Sequence, residues 1–292
     1  SLRVTCAYPD GHLKTASKPS LISHHILPKA AYGPDSLSRG LAYNAELIDL
    51  AYIDGTSWVP FDYYDVTHCT DPGWEEVTEI EMSGKLDVGG CKYVKLIDAF
   101  AKGKPITSRF VYEIRLKKGK WKRCCRWTPR GFQEIPGVHF NPDLTFATNP
   151  PLCSIRYLVA TAAKTGRRVY HIDFKRAFST SPLKKETTPC AKIYVLLPKG
   201  YQHIDDDGDE CCIEMSNSMY GLKQSNRDWM DRVVASSKEL QFEESTKYPS
   251  LFIGKGFTIV VWIDDFFVLP PTGLNQEQEL KAVTDLANDF QR

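Results

Sequence analysis

The chain has 292 residues, of which 42% are hydrophobic and 25% are charged, and its formal net charge is +1. These values are typical of a folded globular protein of one or two domains, and they exclude a disordered chain. No apolar run approaches the roughly 20 residues that a membrane-spanning helix requires, so we expect no membrane partner.

The cysteines indicate the compartment. There are nine of them, Cys124–Cys125 and Cys211–Cys212 are adjacent pairs, and no C-x-x-C spacing suitable for zinc occurs. An odd number of cysteines without a secretory leader is typical of reduced thiols. We therefore expect a cytoplasmic protein.

The first 70 residues show the weakest pattern. They are rich in Pro, Ser, Gly and His, with one helix-like stretch at 41–51. We interpret residues 1–70 as a connector of unknown role. From 72 to 85 an apolar stripe predicts the first clear helix; its residues are Trp74, Val77, Ile80 and Met82.

A strongly basic segment follows this helix. Residues 102–130 contain eleven Lys or Arg and one Glu, a charge of +10, so the other 263 residues carry −9. Strands predicted at 110–116 and 121–127 form a hairpin here. A solvated charged face is one interpretation. Interleaved aromatic residues favour a surface that contacts phosphates and stacks on bases; they are Phe110, Tyr112, Trp121 and Trp127.

The remaining elements alternate between helices and strands. We predict a helix at 154–164, which Ser154 caps and Gly166 ends. Further strands are predicted at 168–174, 191–197, 257–263 and 266–269, and further helices at 226–240 and 275–292. This order predicts an α+β fold, a mixed sheet with helices on one face.

Acidic residues at two predicted strand ends suggest a metal site. Asp264 and Asp265 lie at the tip of the last hairpin, where a plain turn is the preferred interpretation of that feature alone. Asp173 ends the strand at 168–174, and its alternative is an ordinary surface acid. Together, three carboxylates on two adjacent strands suit two Mg²⁺ ions in phosphoryl transfer.

From Trp74 onward the chain resembles the reverse transcriptases of copia-type retrotransposons. The blocks that carry the resemblance occur in the family's order and at about its spacing. They are Phe110-Val-Tyr-Glu-Ile-Arg115, Cys125-Arg-Trp-Thr-Pro-Arg-Gly-Phe132, Ser154-Ile-Arg-Tyr-Leu158, His171-Ile-Asp-Phe-Lys-Arg-Ala-Phe178, Ile193-Tyr-Val-Leu-Leu-Pro-Lys-Gly-Tyr201, Met219-Tyr-Gly-Leu-Lys-Gln-Ser-Asn-Arg-Asp-Trp229, Ser250-Leu-Phe252 and Trp262-Ile-Asp-Asp265.

The resemblance implies a right-hand polymerase fold. Residues 71–168 correspond to the fingers, and residues 169–292 correspond to the palm with finger insertions, a ferredoxin-like antiparallel sheet backed by helices. The thumb and RNase H domains would follow downstream in a larger Pol polyprotein. The implied partners are an RNA or DNA template-primer and dNTPs, and the implied location is the cytoplasm, virus-like particles or a nuclear phase.

The resemblance also assigns the metal site. Asp173, Asp264 and Asp265 correspond to the catalytic carboxylates, which would bind two Mg²⁺ or Mn²⁺ ions, and the carbonyl of Phe174 corresponds to an additional ligand. One ion would lower the pKa of the primer 3′-hydroxyl, and the other would neutralise the triphosphate. Phe178 corresponds to the aromatic residue that excludes a 2′-hydroxyl, although by itself it would be interpreted as a core residue.

Basic and amide side chains complete the implied nucleotide site. Lys122 and Arg126 correspond to the residues that bind the triphosphate, with Cys124 where the family usually has lysine. Gln224 corresponds to the glutamine beside the nucleotide and template. Arg130 and Arg227 are expected to contact nucleic acid, and helix capping is an equal alternative for Arg227.

Other functions remain open at this stage. The family usually has Tyr where this chain has Trp262, Ala-Pro where it has Ser225-Asn226, and Leu-His-Gly where it has residues 179–181. Such departures fit a catalytically decayed copy that only binds nucleic acid. An unrelated two-metal phosphohydrolase is a third interpretation, which the basic segment disfavours.

Overall fold

A computed structural model describes residues 3–7, 59–68, 71–117, 120–174 and 176–291. In these ranges the strands are β1 (Arg3–Ala7), β2 (Cys91–Lys95), β3 (Ser108–Lys117), β4 (Lys120–Pro129), β5 (Val169–Asp173), β6 (Ile193–Val195), β7 (Cys211–Met215), β8 (Glu243–Glu244), β9 (Leu251–Gly254), β10 (Phe257–Trp262) and β11 (Asp265–Leu269). The α-helices are α1 (Tyr63–His68), α2 (Gly73–Asp87), α3 (Leu96–Lys102), α4 (Leu152–Thr165), α5 (Ser225–Glu239) and α6 (Gln276–Gln291). The helix predicted at 41–51 lies outside the described residues.

The first of two compact units combines three segments of the chain, 1–16, 135–191 and 223–292. Its centre is a six-stranded sheet in the order β1-β5-β11-β10-β9-β8, and every neighbouring pair is antiparallel. Strand β5 therefore lies inside the sheet, between β1 and β11. The strand predicted at 168–174 and the hairpin predicted at 257–269 are confirmed.

Helices cover both faces of this sheet, so the prediction of helices on one face is wrong. Alternation along β11 directs Phe266 and Leu269 to opposite faces. Leu269 lies in a buried cluster with Leu158 of α4. The ring of Phe266 lies 6.4 Å from that of Trp229 on α5 and 5.3 Å from that of Phe290 on α6. Strand β10 is buried on both sides at 259–261 for this reason and is a nearly continuous apolar run, whereas β5 alternates between buried and half-buried residues.

The second unit comprises residues 17–134 and 192–222. It contains the long β3–β4 hairpin and an antiparallel sheet in the order β2-β7-β6. Helix α2 packs on the hairpin through Trp74, whose ring meets that of Tyr112 edge-on at 5.8 Å. The hydroxyl of Thr78 lies 3.1 Å from that of Tyr112. The predicted hairpin and the predicted helix at 72–85 are therefore both confirmed.

The start of α4 differs from the prediction. The helix begins at Leu152, and Pro151, extended at ψ 151°, occupies the N-cap position. Ser154 therefore lies inside the first turn, fully buried, and the prediction that it caps the helix is wrong. Gly166 does end α4, because it adopts the left-handed conformation (φ +66°) that glycine accepts without steric cost.

The two units do not coincide with the predicted domain limits. The predicted boundary at 168/169 falls between α4 and β5, which belong to the same unit. The buried cluster explains why, since Leu158 and Ala162 of α4 pack against the sheet that contains β5. The names fingers and palm stay predictions. None of the helices in the described ranges is both long enough and apolar enough to cross a membrane.

Candidate functional site

Two of the three predicted catalytic carboxylates lie opposite each other at the ends of neighbouring strands in the six-stranded sheet. Asp173 is the last residue of β5, Asp265 is the first residue of β11, and the two are direct register partners. Directly opposed residues on antiparallel strands project from the same face, with Cα atoms about 4.5–5.5 Å apart. The fold thus brings together two carboxylates that lie 92 positions apart in the sequence.

A tight turn holds the third carboxylate, Asp264. Trp262 pairs with Asp265, so that Ile263 and Asp264 form a two-residue connection, and Ile263 has a φ of +57°. The indole Nε1 of Trp229 donates a 2.6 Å hydrogen bond to the carbonyl of Ile263. The carbonyl of Asp264 accepts from the backbone N–H of Phe174 at 3.3 Å. Each turn residue is therefore anchored through its own carbonyl oxygen, Ile263 by the indole of Trp229 on helix α5 and Asp264 by the backbone that follows β5.

Buried aromatic rings support this turn from behind. The ring of Phe174 lies 4.6 Å from that of Phe266 and 6.0 Å from that of Trp229. All three residues are at most 4% exposed. The three carboxylates themselves are half-buried, so a ligand in solution can reach them, while the buried rings behind them restrict their movement.

Asp265 contacts a histidine to which the sequence analysis gave no role. The Nε2 atom of His171 lies 2.6 Å from the Oδ1 atom of Asp265. His171 is two residues before Asp173 on β5, so alternation places both on the same face. The only signal in the sequence was its position within the Asp173 block, and a histidine two residues from an acid is common without function.

The donor set suits a divalent cation. Three carboxylates with the nearby carbonyl of Phe174 supply only oxygen ligands, which Mg²⁺ and Mn²⁺ prefer. The three carboxylates do not, however, gather around one point. Among the described residues, only Asp205, Asp207 and Asp209 bring three acidic, His or Cys ligand atoms within 4.8 Å of one another.

A lysine lies against that other acidic cluster and offsets part of its charge. The Nζ atom of Lys95 lies 2.6 Å from Asp207 and 2.7 Å from Asp209. The backbone N–H of Asp209, together with Lys95 and the N–H of Asp207, lowers the pKa of Asp205 below its ordinary value. The loop is thus a surface turn with its own counter-charge.

Two predicted nucleotide-site residues lie in the interior of the first unit. Phe178 is 5% exposed, as its interpretation as a core residue expects. Gln224 has no exposed surface, and its Nε2 donates to the hydroxyl of Thr188 at 3.1 Å and to the carbonyl of His139 at 3.4 Å. Their predicted contacts with the nucleotide stay predictions.

The basic predicted residues belong to the second unit, with Lys122 and Arg126 on one side of strand β4 and Arg130 directly after its end. Lys122, Arg126 and Arg130 are exposed, and within the described ranges no carboxylate lies within 4.0 Å of their charged groups. The guanidinium of Arg126 lies 5.4 Å from the centroid of the Tyr220 ring. By contrast, Arg123 faces the other way and binds Asp71 at 2.7 Å. The exposed side of the hairpin thus keeps cationic groups available for an anionic ligand.

Glycines bring a second segment against the end of this strand. A Cβ atom on Gly131 would lie 2.0 Å from the carbonyl oxygen of Gly221, and one on Gly221 would lie 2.4 Å from the carbonyl oxygen of Pro129. Gly221 also has a φ of +106°. No other residue fits either position, which explains why both predicted blocks contain glycine there.

Arg227 is bound to its own surroundings. Its Nε donates to the carboxylate of Asp231 one helical turn later, at 2.8 Å, and its NH1 lies 3.4 Å from the carbonyl of Phe146. The side chain is 38% exposed. A contact with template stays a prediction for this residue.

Comparison with known proteins gives one matching family and several relatives. The family model described as reverse transcriptase (RNA-dependent DNA polymerase) matches residues 92–291. The retrovirus-related Pol polyprotein from transposon TNT 1-94 of Nicotiana tabacum is 27% identical over 219 residues, which is 72% of this chain and 15% of the relative. Those from transposons RE2 and RE1 of Arabidopsis thaliana are each 25% identical over 147 residues, which is 49% of this chain and 9% of the relatives. The chain therefore spans only a small part of the relatives it matches.

Proposed function

This chain belongs to the reverse transcriptase (RNA-dependent DNA polymerase) family found in copia-like retrotransposon Pol polyproteins, and we propose that it extends a DNA primer by copying an RNA or DNA template. The first unit would correspond to the palm, and the basic hairpin of the second would belong to the fingers. The observation that carries the proposal is the register pairing of Asp173 with Asp265 beside the turn that holds Asp264.

The chain's own residues supply a site for two divalent cations. Asp173, Asp264 and Asp265 would hold Mg²⁺ or Mn²⁺, with the carbonyl of Phe174 as a further ligand. When bound, such ions favour ionisation of the primer 3′-hydroxyl and neutralise charge on the triphosphate. The anchored turn keeps the carboxylates in place, so little reorganisation is needed during the reaction.

Other residues would position the incoming nucleotide. Lys122 and Arg126 would bind its triphosphate, Arg126 through the two parallel donors of a guanidinium. Arg130 would bind nucleic-acid phosphates. Phe178 and Gln224 are both buried. Phe178 would limit the space available to the sugar of the nucleotide, and Gln224 would help to shape the same part of the site.

Primer extension tests this function directly. The full chain is incubated with poly(rA)–oligo(dT), dTTP and either Mg²⁺ or Mn²⁺, and is compared with Asp264→Asn. Loss of a group that only hydrogen-bonds to a metal ligand typically costs about 10–100-fold in metal affinity or activity. Loss of a direct ligand is therefore expected to reduce extension at least about 100-fold. The matched control is Asp206→Asn, an exposed acid in the second unit, which should extend primers as the unmodified chain does.

The basic hairpin is tested in the same system. Charge removal in Lys122→Ala and Arg126→Ala should raise the KM for dTTP, and Arg130→Ala should flatten the dependence of template binding on salt by about one unit of log–log slope. Template binding that depends on salt, without extension by any form of the chain, would instead identify a module that only binds nucleic acid. Hydrolysis of dTTP without template would identify a phosphohydrolase.

A further inference from the structure

The contact between His171 and Asp265 assigns a role to the histidine. On adjacent antiparallel strands, Asp173 faces Asp265 and His171 faces Phe267, so His171 is the diagonal neighbour of Asp265 on the same face. The ring of His171 is tilted by 32° against that of Phe267, with centroids 5.4 Å apart. This packing leaves Nε2 aimed along the sheet, 2.6 Å from Asp265 Oδ1.

The direction of this hydrogen bond follows from its partners. An ionised carboxylate only accepts, so Nε2 carries the proton and donates it to Oδ1. The hydrogen bond takes up one lone pair of Oδ1 and draws negative charge toward the histidine. Oδ2 is therefore the oxygen that a cation would bind more strongly.

We propose that His171 is a positioning residue that makes Asp265 a one-oxygen ligand and thereby favours Mn²⁺ and Mg²⁺ over larger cations; this inference rests on the function proposed above. Mg²⁺ is small and demands a regular arrangement of ligands, whereas Ca²⁺ readily accepts both oxygens of one carboxylate. Hydrogen-bonded partners of metal ligands orient those ligands and typically contribute about 10–100-fold to metal affinity. His171 is half-buried between the strand partner Phe267 and the carboxylate, which suits a fixed donor better than a mobile surface group.

A conservative substitution of His171 can test whether the hydrogen-bond donor or the imidazole ring itself is needed. The amide of glutamine reaches about as far as Nε2 and also donates a hydrogen bond. His171→Gln therefore keeps the donor, whereas His171→Leu and His171→Val remove it while remaining suited to a half-buried strand position. His68→Leu is the matched control, because His68 is exposed in the second unit and its Nδ1 atom contacts Thr67 and the carbonyl of Tyr64 in its own helix.

The experiment measures metal binding and not turnover. Mn²⁺ and Ca²⁺ are titrated calorimetrically into the full chain and each variant, and Asp264→Asn defines the background of non-specific sites. We expect the Leu and Val variants to bind Mn²⁺ at least about 10-fold more weakly, with Ca²⁺ affinity unchanged or higher. We expect His171→Gln to stay within about threefold of the unmodified chain, and His68→Leu to be indistinguishable from it.

Two results overturn the inference, and they are distinguishable from failure of the proposed function. Unchanged Mn²⁺ affinity in the Leu and Val variants, or an equal loss in His171→Gln, refutes the positioning role while leaving the metal site intact. Binding by the unmodified chain that does not exceed the Asp264→Asn background removes the metal site itself, and both proposals with it.

Discussion

Substitution of Trp229 by phenylalanine should loosen the turn that holds Asp264. Trp229 is 3% exposed, and its Nε1 donates to the carbonyl of Ile263 at 2.6 Å. Phenylalanine keeps an aromatic ring beside Phe174 and Phe266 but has no donor. The perturbation therefore removes one identified hydrogen bond with limited loss of packing.

The expected magnitude follows from two contributions. A hydrogen bond of this kind contributes about 1 kcal/mol net. The smaller ring leaves a space in a buried cluster, and since complete removal of a tryptophan side chain costs about 3–5 kcal/mol, this partial loss should cost about 1–2 kcal/mol. We expect the hairpin to lose about 2–3 kcal/mol of local stability in all.

Amide hydrogen exchange of the β10–β11 hairpin measures this loss without requiring that both units unfold together. If local opening limits exchange, a loss of about 2 kcal/mol corresponds to exchange about 30-fold faster across residues 257–269. Trp262→Phe is the control, because Trp262 is 40% exposed on the same hairpin; its exchange should change by less than about threefold. Equal acceleration in both variants, or none in Trp229→Phe, would refute the view that the indole anchors the turn.

Two further predictions concern titratable groups. Burial tends to raise the pKa of Glu214, but hydrogen bonds from Lys192, Lys92 and Tyr194 outweigh it and hold the pKa below the ordinary value of 4.5. Its folded pKa is thus lower than its unfolded pKa, so the stabilisation is present above about pH 4.5 and disappears as the pH falls through the folded value. The unfolding free energy of the unmodified chain minus that of Glu214→Gln should be constant between pH 6 and 8 and shrink as the pH falls below about 4.5; a difference that does not shrink in that direction would contradict this linkage. For the thiols, burial raises the pKa of Cys125 to about 12 and those of Cys91 and Cys212 to about 11. Alkylation by iodoacetamide at pH 8, followed by mass spectrometry, should therefore modify the exposed Cys153 and Cys190 first among the seven cysteines whose side chains the structure describes, and early modification of Cys125 would show that the hairpin opens readily.

Elements with strong local patterns were predictable from the sequence. The stripe of α2, the basic hairpin and the apolar strands around Asp264 each carry their own signal, because alternation or helical spacing is visible within a dozen residues. The three carboxylates could be grouped because acids at the ends of apolar strands contrast with their surroundings, but their catalytic role was assigned by the family resemblance and stays a prediction. Residues 92–291, which the family model matches, contain all three.

Long-range pairing was not predictable in the same way. Strands β2 and β7 were missed because they pair with each other across about 120 residues, and all five residues of β7 are buried, so no alternation exists. The burial of a polar side chain is also hard to predict from the sequence, because it depends on residues that are distant in the chain. Gln224 has the sequence context of a surface residue at a helix start, yet contacts with Thr188 and His139 carry it inside. His171 acquires its partner only through the register of β5 and β11.

The position of β1 has a consequence for how the chain is made. Its five residues pair with residues 169–173, so that Arg3 lies opposite Asp173 and Ala7 lies opposite Val169. The partner strand is therefore synthesised more than 160 residues later. At the usual elongation rates of about 5–20 residues per second, the ribosome needs roughly 8–30 s to produce that partner. During this interval β1 lacks its strand partner β5, and β5 in turn pairs with β11 only when that strand has also emerged. Asp173 and Asp265 are thus brought together only after the basic hairpin has had time to form from contiguous residues.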